Sequence, residues 1–333
     1  MKNLDIIVDL QYGDCGKGKV AHYLCEKNKY THVVRYNGGA NAGHTIYHKG
    51  KKVVTHQIPV GVMFGIKSVI GPGCVVDPEL LEKEILELKA VGININKKLF
   101  VANNTHIVTK AHKDEDAKDA KIGTTKKGIG FAYRDKYVRL GKRAEDTAEL
   151  KPYTIDFYKE VVNKPNSMVL MEGAQGFGLD IDWGDYPYVT SSSCTSAGAL
   201  LNGFNYSNVN SVWGVAKVYE TYVGNKKFEP DQEVFKKIRE LGQEYGATTG
   251  RPRQCNYFNL DTFKKAVKIN GVTHIVISKM DILRELNEWK MIENGKVKNL
   301  KTEKAMKEKI IEEMKSFGIK KANIYFSEKK DTL

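Results

Sequence analysis

The stretch Leu4-Asp5-Ile6-Ile7-Val8-Asp9-Leu10, followed at once by Gln11-Tyr12-Gly13-Asp14-Cys15-Gly16-Lys17-Gly18-Lys19-Val20, decides the architecture. The apolar run predicts a buried strand, and Ala21–Lys27 beyond the glycines predicts a helix. A glycine-rich turn between strand and helix presents backbone N–H groups and a helix N-terminus to an anion. The spacing from Gly13 to Gly18-Lys19 follows a P-loop up to its last residue, where Val20 replaces the hydroxyl that holds Mg²⁺. Asp14 is the alternative metal ligand, because a carboxylate among phosphate-facing amides needs a cation.

Further along, β-rich runs recur at Leu4–Leu10, His32–Tyr36, Ser68–Ile70, Met168–Glu172, Ser211–Val218 and His274–Ser278. Amphipathic stretches lie between them. In Pro78–Val91, Leu80, Leu81, Ile85 and Leu88 share one helical face, Asp77 is placed to cap it and Gly92 to end it. Gln232–Tyr245 and Thr302–Phe317 read as helices too. The expectation is an α/β protein, a single large domain with a mainly parallel central sheet flanked by helices. Its nucleotide-binding core is P-loop-like, and the glycine-rich segments between elements predict long functional loops.

Composition narrows the function. The chain has 333 residues, 41% hydrophobic and 28% charged, with no run of apolar residues long enough to span a membrane. The start lacks the features of a signal peptide, which points to the cytosol. Cys15, Cys25, Cys74, Cys194 and Cys255 show no CxxC spacing and read as reduced thiols. The net charge of +13 sits in lysine-rich stretches interrupted by acids, without an RNP motif, zinc finger or basic heptad helix. Phosphorylated small molecules, rather than a polynucleotide, are the expected partners.

A second glycine loop, Asn37-Gly38-Gly39-Ala40-Asn41-Ala42-Gly43-His44-Thr45, follows the run His32–Tyr36. It carries a histidine that could donate a proton or hydrogen bond to a transferring phosphoryl oxygen. The two loops resemble the signatures of the adenylosuccinate synthetase family. The resemblance continues in order through Ile122-Gly123-Thr124-Thr125 with Gly128-Ile129-Gly130, Glu172-Gly173-Ala174-Gln175-Gly176, Asp180-Ile181-Asp182 and Tyr186-Pro187-Tyr188-Val189-Thr190-Ser191-Ser192. It ends with Gly246-Ala247-Thr248-Thr249-Gly250-Arg251 and Lys279-Met280-Asp281.

That resemblance implies one adenylosuccinate-synthetase-like domain over residues 1–333 and a GTP-dependent ligation of L-aspartate to C6 of IMP through a 6-phosphoryl intermediate. It implies Asp14 as base and Mg²⁺ ligand, His44 as acid on the phosphoryl oxygens, and Gly43 as a second Mg²⁺ ligand. Gln175 joins Asp14 and His44 in the catalytic set. Gly13, Gly16, Lys17, Gly18, Lys19 and Thr45 fall where the family holds nucleotide phosphates. Asn41, Thr125, Gln175, Thr190 and Arg251 match contacts to the purine monophosphate. Thr248, Thr249, Arg251 and Arg253 match the aspartate clamp, a role suited to guanidinium forks. Lys279 and Asp281 match the guanine-recognition pair. Arg139 matches an arginine that crosses to a neighbouring subunit, implying a homodimer.

Some positions depart from the family pattern. Cys15 stands for a glutamate, Tyr12 for a tryptophan, Phe131 for a proline and Tyr222 for an arginine, while Pro252 and Gln254 interrupt an arginine run. The chain is also shorter than the common bacterial form, and Ser327 is the trace of its final nucleotide-binding turn. Short members include archaeal enzymes and phage-borne variants that act on dGMP. Many of the latter lack the catalytic aspartate that Asp14 matches here, so its presence favours IMP. The shortened tail leaves ATP open as phosphoryl donor. A catalytically silent nucleotide-binding protein need not keep Asp14, His44, Gln175 and Arg251 together.

Overall fold

Four apolar strands that each end on a charged residue form the centre of the molecule. They are Val209–Lys217, Leu4–Asp9, Val169–Glu172 and His32–Arg35, side by side in that order. The computed structural model describes residues 2–120, 122–246 and 250–328. The full sheet has nine strands, and His274–Ser278 and Ile324–Ser327 extend it on one side. Lys67–Ile70, Leu99–Ala102 and Thr154–Ile155 extend it on the other. Every neighbouring pair runs parallel. Helices cover both faces, which is why Leu4–Asp9 is buried at all its positions instead of alternating.

Between the first strand and His32–Arg35 in sequence lies one helix, yet in space Val169–Glu172 is inserted between them. The chain therefore leaves the first strand toward one edge and later returns to fill the other side. Such a switch point opens a crevice beyond the carboxyl ends of the strands, where α/β proteins bind ligands.

The elements follow the sequence reading with informative exceptions. The first helix begins at Lys17, not Ala21, so Lys17, Gly18 and Lys19 form its opening turn. Asp77 caps the helix Pro78–Ala90 by accepting from the Leu80 N–H at 3.2 Å. Its buried face holds Leu81, Ile85 and Leu88 but replaces the expected Leu80 with Glu84. Glu84 accepts three backbone N–H groups, from His56, Gln57 and Ile58, which accounts for a buried carboxylate on an apolar face.

His44 and Thr45 do not lie in a loop. They open the strand His44–His48, which pairs in a hairpin with Lys51–Thr55. A smaller sheet, Tyr219–Tyr222, Gln254–Asn259, Lys290–Glu293 and Lys296–Asn299, also escaped the sequence reading. Its strands are short and polar, so no apolar period marks them. Among the described residues no helix is long and apolar enough to cross a membrane.

Two histidines tie stability to pH. Burial, with Lys67 and Lys164 adding to it, holds His32 at about 4 against an ordinary 6.5. Burial together with Lys136 and Arg143 does the same for His106. Both are depressed bases, so the unfolded chain binds more protons between these values, and stability is lost as pH falls from 6.5 toward 4. Urea midpoints should therefore drop between pH 7.5 and 4.5, and His32→Gln/His106→Gln should flatten that profile. An unchanged slope in the double variant would assign the pH dependence to other groups.

Candidate active site

The cleft at the carboxyl end of the sheet has a volume of about 470 Å³. The charged strand ends Lys217, Asp9, Glu172 and Arg35 are all buried, and Lys17 and His44, which line the cleft, pair with two of them. Each has a counter-charge: Asp9 has Lys17, Lys217 has Glu244, and Glu172 and Arg35 have each other.

Asp9 organises the glycine loop. Its Oδ1 accepts from the N–H groups of Gln11 at 3.0 Å and Gly13 at 3.2 Å, and its Oδ2 from Cys15 at 3.0 Å. Lys17 Nζ completes the set at 3.0 Å from Oδ2 and also donates to the Gln175 carbonyl at 2.5 Å. The P-loop-like turn is thus braced from within. The amides at positions 11, 13 and 15 serve an internal carboxylate, not an external phosphate. The opening turn of the helix Lys17–Lys27 remains for an outside anion, with Gly16 at its N-cap giving no side-chain cap. Gly176 lets the Gln175 turn close onto the loop, since a Cβ there would meet the Gly13 nitrogen at 2.4 Å. Cys15 turns inward too, its thiol donating to Gln11 Oε1 at 3.1 Å, and burial keeps it protonated.

Glu172 performs the same service for the second loop. It lies 3.1 Å from Arg35 Nη2, accepts from the Val60 N–H at 3.0 Å and takes a short hydrogen bond from His44 Nδ1. Arg35 Nη1 donates to His44 Nε2 at 3.0 Å. Burial, with the Arg35 charge beside it, depresses His44 to about 4, so the imidazole is neutral at neutral pH. Burial opposes ionisation of Glu172, but Arg35 and His44 outweigh it and hold the acid at about 2. An anion arriving beside His44 would favour the imidazolium and so turn it into a donor.

The expected residues divide between those the cleft gathers and those it does not. Gly13, Asp14, Lys17, Asn41, Gly43 and His44 line it from the first two loops. Thr125, Gln175, Thr190, Arg251 and Arg253 line it from later segments. Gly16, Gly18, Lys19 and Thr45 lie on the helix and hairpin behind it. A Cβ on Gly18 would meet His44 Cβ at 3.0 Å, so that glycine lets the hairpin seat against the helix. Lys19 Nζ is hydrogen-bonded to Ser327 at the end of the edge strand. Lys279 sits at the N-cap of Met280–Leu286 and donates to the Gly242 carbonyl at 2.7 Å, and Asp281 lies in that helix's first turn. Arg139 is exposed and away from the cleft. Thr248 and Thr249 lie outside the described residues.

Two cleft residues carry strained backbones, Asp14 at φ 59° and Gln175 at φ 57°. Gln175 Oε1 is buried with no hydrogen-bond partner among the described residues. Asp14 Oδ2 is held by Arg253, whose Nη2 lies at 2.7 Å and Nε at 3.1 Å. Burial would raise the Asp14 carboxyl, but Arg253, Lys217 and Lys17 overcome it and hold the group below its ordinary range. Arg251 Nη1 donates to the Gly123 carbonyl at 3.1 Å, joining two cleft loops. Tyr12 and Tyr222, two of the departures, pack edge to face at 5.7 Å.

A family model described as adenylosuccinate synthetase matches residues 6–164 and 147–321. The chain belongs to the adenylosuccinate synthetase family. It is thus a ligase of purine biosynthesis. The adenylosuccinate synthetase of Chlorobium limicola is 39% identical over 341 residues, spanning 86% of this chain and 78% of that protein. That of Endomicrobium trichonymphae is 36% identical over 339 residues, spanning 86% and 79%. Among solved structures, the fully ligated adenylosuccinate synthetase of Plasmodium falciparum superposes with a TM-score of 0.80 at 31% identity, covering 92% of this chain and 86% of that one. The succinoaminodeoxyadenylate synthetase of cyanophage S-2L, bound to dGMP and dATP, gives 0.72 at 25% identity, covering 93% and 98%.

Asp9, Arg35 and Lys217 escaped the sequence reading, and Glu172 was quoted in a motif without a role. The available signal was a charge closing an apolar strand. Asp9→Asn should destabilise the fold by about 3–5 kcal/mol, because it leaves Lys17 buried and unpaired. Urea unfolding checks this, and Asp9→Asn/Lys17→Met should recover part of the loss. No change in Asp9→Asn would show that the loop does not depend on this pair.

Proposed function

We propose that this family member joins L-aspartate to C6 of IMP at the expense of GTP, giving adenylosuccinate, GDP and phosphate. The observation that carries the proposal is one cleft holding Asp14, His44, Gln175, Arg251 and Arg253 together. In the first step Asp14 takes the proton from N1 of IMP, and O6 attacks the γ-phosphorus while GDP leaves. Asp14 enters that step as an anion, since Arg253 depresses its pKa, and the purine must loosen this pairing. Gln175 Oε1, short of a donor, suits a hydrogen-bond donor of the bound nucleotide other than N1–H. His44 becomes a donor to the phosphoryl oxygens as negative charge gathers beside it. In the second step the amine of aspartate attacks C6, phosphate leaves, and the nitrogen sheds a proton. Phosphorylation is needed because a carbonyl oxygen is a poor leaving group.

The carboxylate of Asp14 and the carbonyl of Gly43 would hold Mg²⁺. Among the described residues no cluster of three or more His, Cys, Asp or Glu could bind a metal by itself. That fits an ion which takes one or two carboxylates and completes its shell with phosphate oxygens and water. When bound it supplies charge neutralisation at the transferring phosphate. Arg251 and Arg253 receive the carboxylates of aspartate, with Thr248 and Thr249 beside them in sequence. Lys279 and Asp281 recognise the guanine, while the amide groups at Gly16, Lys17 and Gly18, together with Lys19 and Thr45, face the donor's phosphates. Asn41, Thr125 and Thr190 hold the purine monophosphate.

Phosphate release should require both L-aspartate and a purine monophosphate. Run side by side, IMP should outpace dIMP, GMP and dGMP, and GTP should outpace ATP. Preference for dGMP would assign the chain to the chemistry of the cyanophage enzyme. Asp14→Asn should lower turnover by at least ~10²-fold, the lower range for losing a general base.

Arg139 supports a homodimer reading. It follows the helix Ile129–Tyr137 and is surrounded by exposed Tyr137, Val138 and Leu140, an apolar patch suited to a second copy. From there Arg139 reaches the partner's purine site. Arg139→Leu and Asp14→Asn should each be nearly inactive, and mixing them under subunit exchange should restore about a quarter of wild-type activity. Exchange without recovery would place Arg139 outside the partner's site.

A further inference from the structure

Behind the cleft, a buried carboxylate governs where Arg253 points. Glu244 is 1% exposed. Its Oε2 is 2.7 Å from Lys217 Nζ and 2.5 Å from Arg253 Nη1, and its Oε1 accepts from Tyr219 OH at 2.8 Å. The backbones are joined as well, with the Arg253 N–H donating to the Glu244 carbonyl at 2.9 Å. Lys217 is itself fixed, since its N–H donates to Gln11 Oε1 at 2.9 Å and its carbonyl accepts from Gln11 Nε2 at 3.0 Å.

The guanidinium therefore has two distinct edges. One, at Nη1, is committed to Glu244. The other, at Nε and Nη2, is the two-donor fork that fits a carboxylate, and it faces the cleft, where it now holds Asp14. Lys217 and Arg253 share the same Glu244 oxygen, so two cations stand close together around one anion. Without that anion they would repel, and the arginine, on its flexible stem, would swing away.

We infer that Glu244 is a positioning residue for the amino-acid substrate, presenting the Nε/Nη2 fork of Arg253 to a carboxylate in the cleft. This rests on the proposed reading of Arg253 as a receiver of L-aspartate's carboxylate. Glu244 does not touch substrate. It neutralises Lys217 and Arg253 together, and it fixes one edge of the guanidinium so that the other edge is open in a single orientation. Asp14 sits in that fork, and an incoming dicarboxylate would displace it. Burial works against the Glu244 anion, but Lys217, Arg253 and Lys279 outweigh it and hold the acid at about 2, so the arrangement persists across the working pH range.

Glu244→Gln keeps the size and an acceptor but removes the charge. The KM for L-aspartate should rise at least about tenfold, a loss of ~1.4 kcal/mol. The KM values for the purine monophosphate and the triphosphate should stay within about threefold, with kcat at saturating aspartate little changed. Isothermal titration with succinate, a dicarboxylate that cannot react, should show the same loss of affinity. Because Lys217 is left buried and unpaired, the single variant could fail to fold, and Lys217→Met/Glu244→Gln covers that case. It should fold and still show the raised aspartate KM. Folded variants with an unchanged aspartate KM, or with all three KM values raised alike, would overturn the positioning role. Wild-type protein whose phosphate release ignores aspartate, and which does not bind succinate, would instead overturn the reading of the site and this inference with it.

Discussion

The structure depends on a row of buried charges at the carboxyl ends of four adjacent parallel strands. Lys217, Asp9, Glu172 and Arg35 close strands that are mostly apolar, and Lys17 and His44, which line the cleft, pair with two of them. Buried charges are costly unless paired and hydrogen-bonded. Each is therefore bound to recruit a partner, and the partners are the residues that shape the site. Asp9 takes Lys17 and three loop amides, Glu172 takes Arg35 and His44, and Lys217 takes Glu244. The loops gain their conformation from this requirement, since glycine-rich segments have little intrinsic preference of their own.

The same arrangement pairs the charges that line the cleft. Asp14 is paired with Arg253, and His44 is kept neutral between an arginine and a glutamate. Behind both groups the deeper charges Asp9, Glu172 and Lys217 are paired. A ligand that brings its own anions can exchange with the outer contacts without disturbing the inner ones. Strained backbones at Asp14 and Gln175 persist because Asp9 and Lys17 hold the two turns against each other.

The departures from the family pattern also fall into place in three dimensions. Tyr12 and Tyr222 are far apart in sequence but pack on each other, with Phe228 against Tyr12 at 4.9 Å. Lys226 lies 5.1 Å from the Tyr12 ring and pairs with Asp185, which also accepts from the Tyr12 hydroxyl at 2.6 Å. The Cys15 side chain turns into the loop and away from the cleft.

Apolar runs, capping residues and glycine loops were enough to read the α/β class, the parallel core strands and several residues that line the cleft. Those signals are local: a strand's apolar run, a cap such as Asp77, or a loop motif spans a few residues. The sequence by itself also determined the family, through ordered motifs from Gln11 to Asp281. It could not reveal Asp9, Arg35, Lys217 or Glu244, because a charged residue at a strand end looks like solvent-facing punctuation until the neighbouring strands bury it. Nor could it show that the loop amides serve Asp9, or that Arg253 spans Glu244 and Asp14. Those pairings join segments far apart along the chain, and which charge meets which was decided by the strand order, because only packing determines which charges share a low-dielectric space.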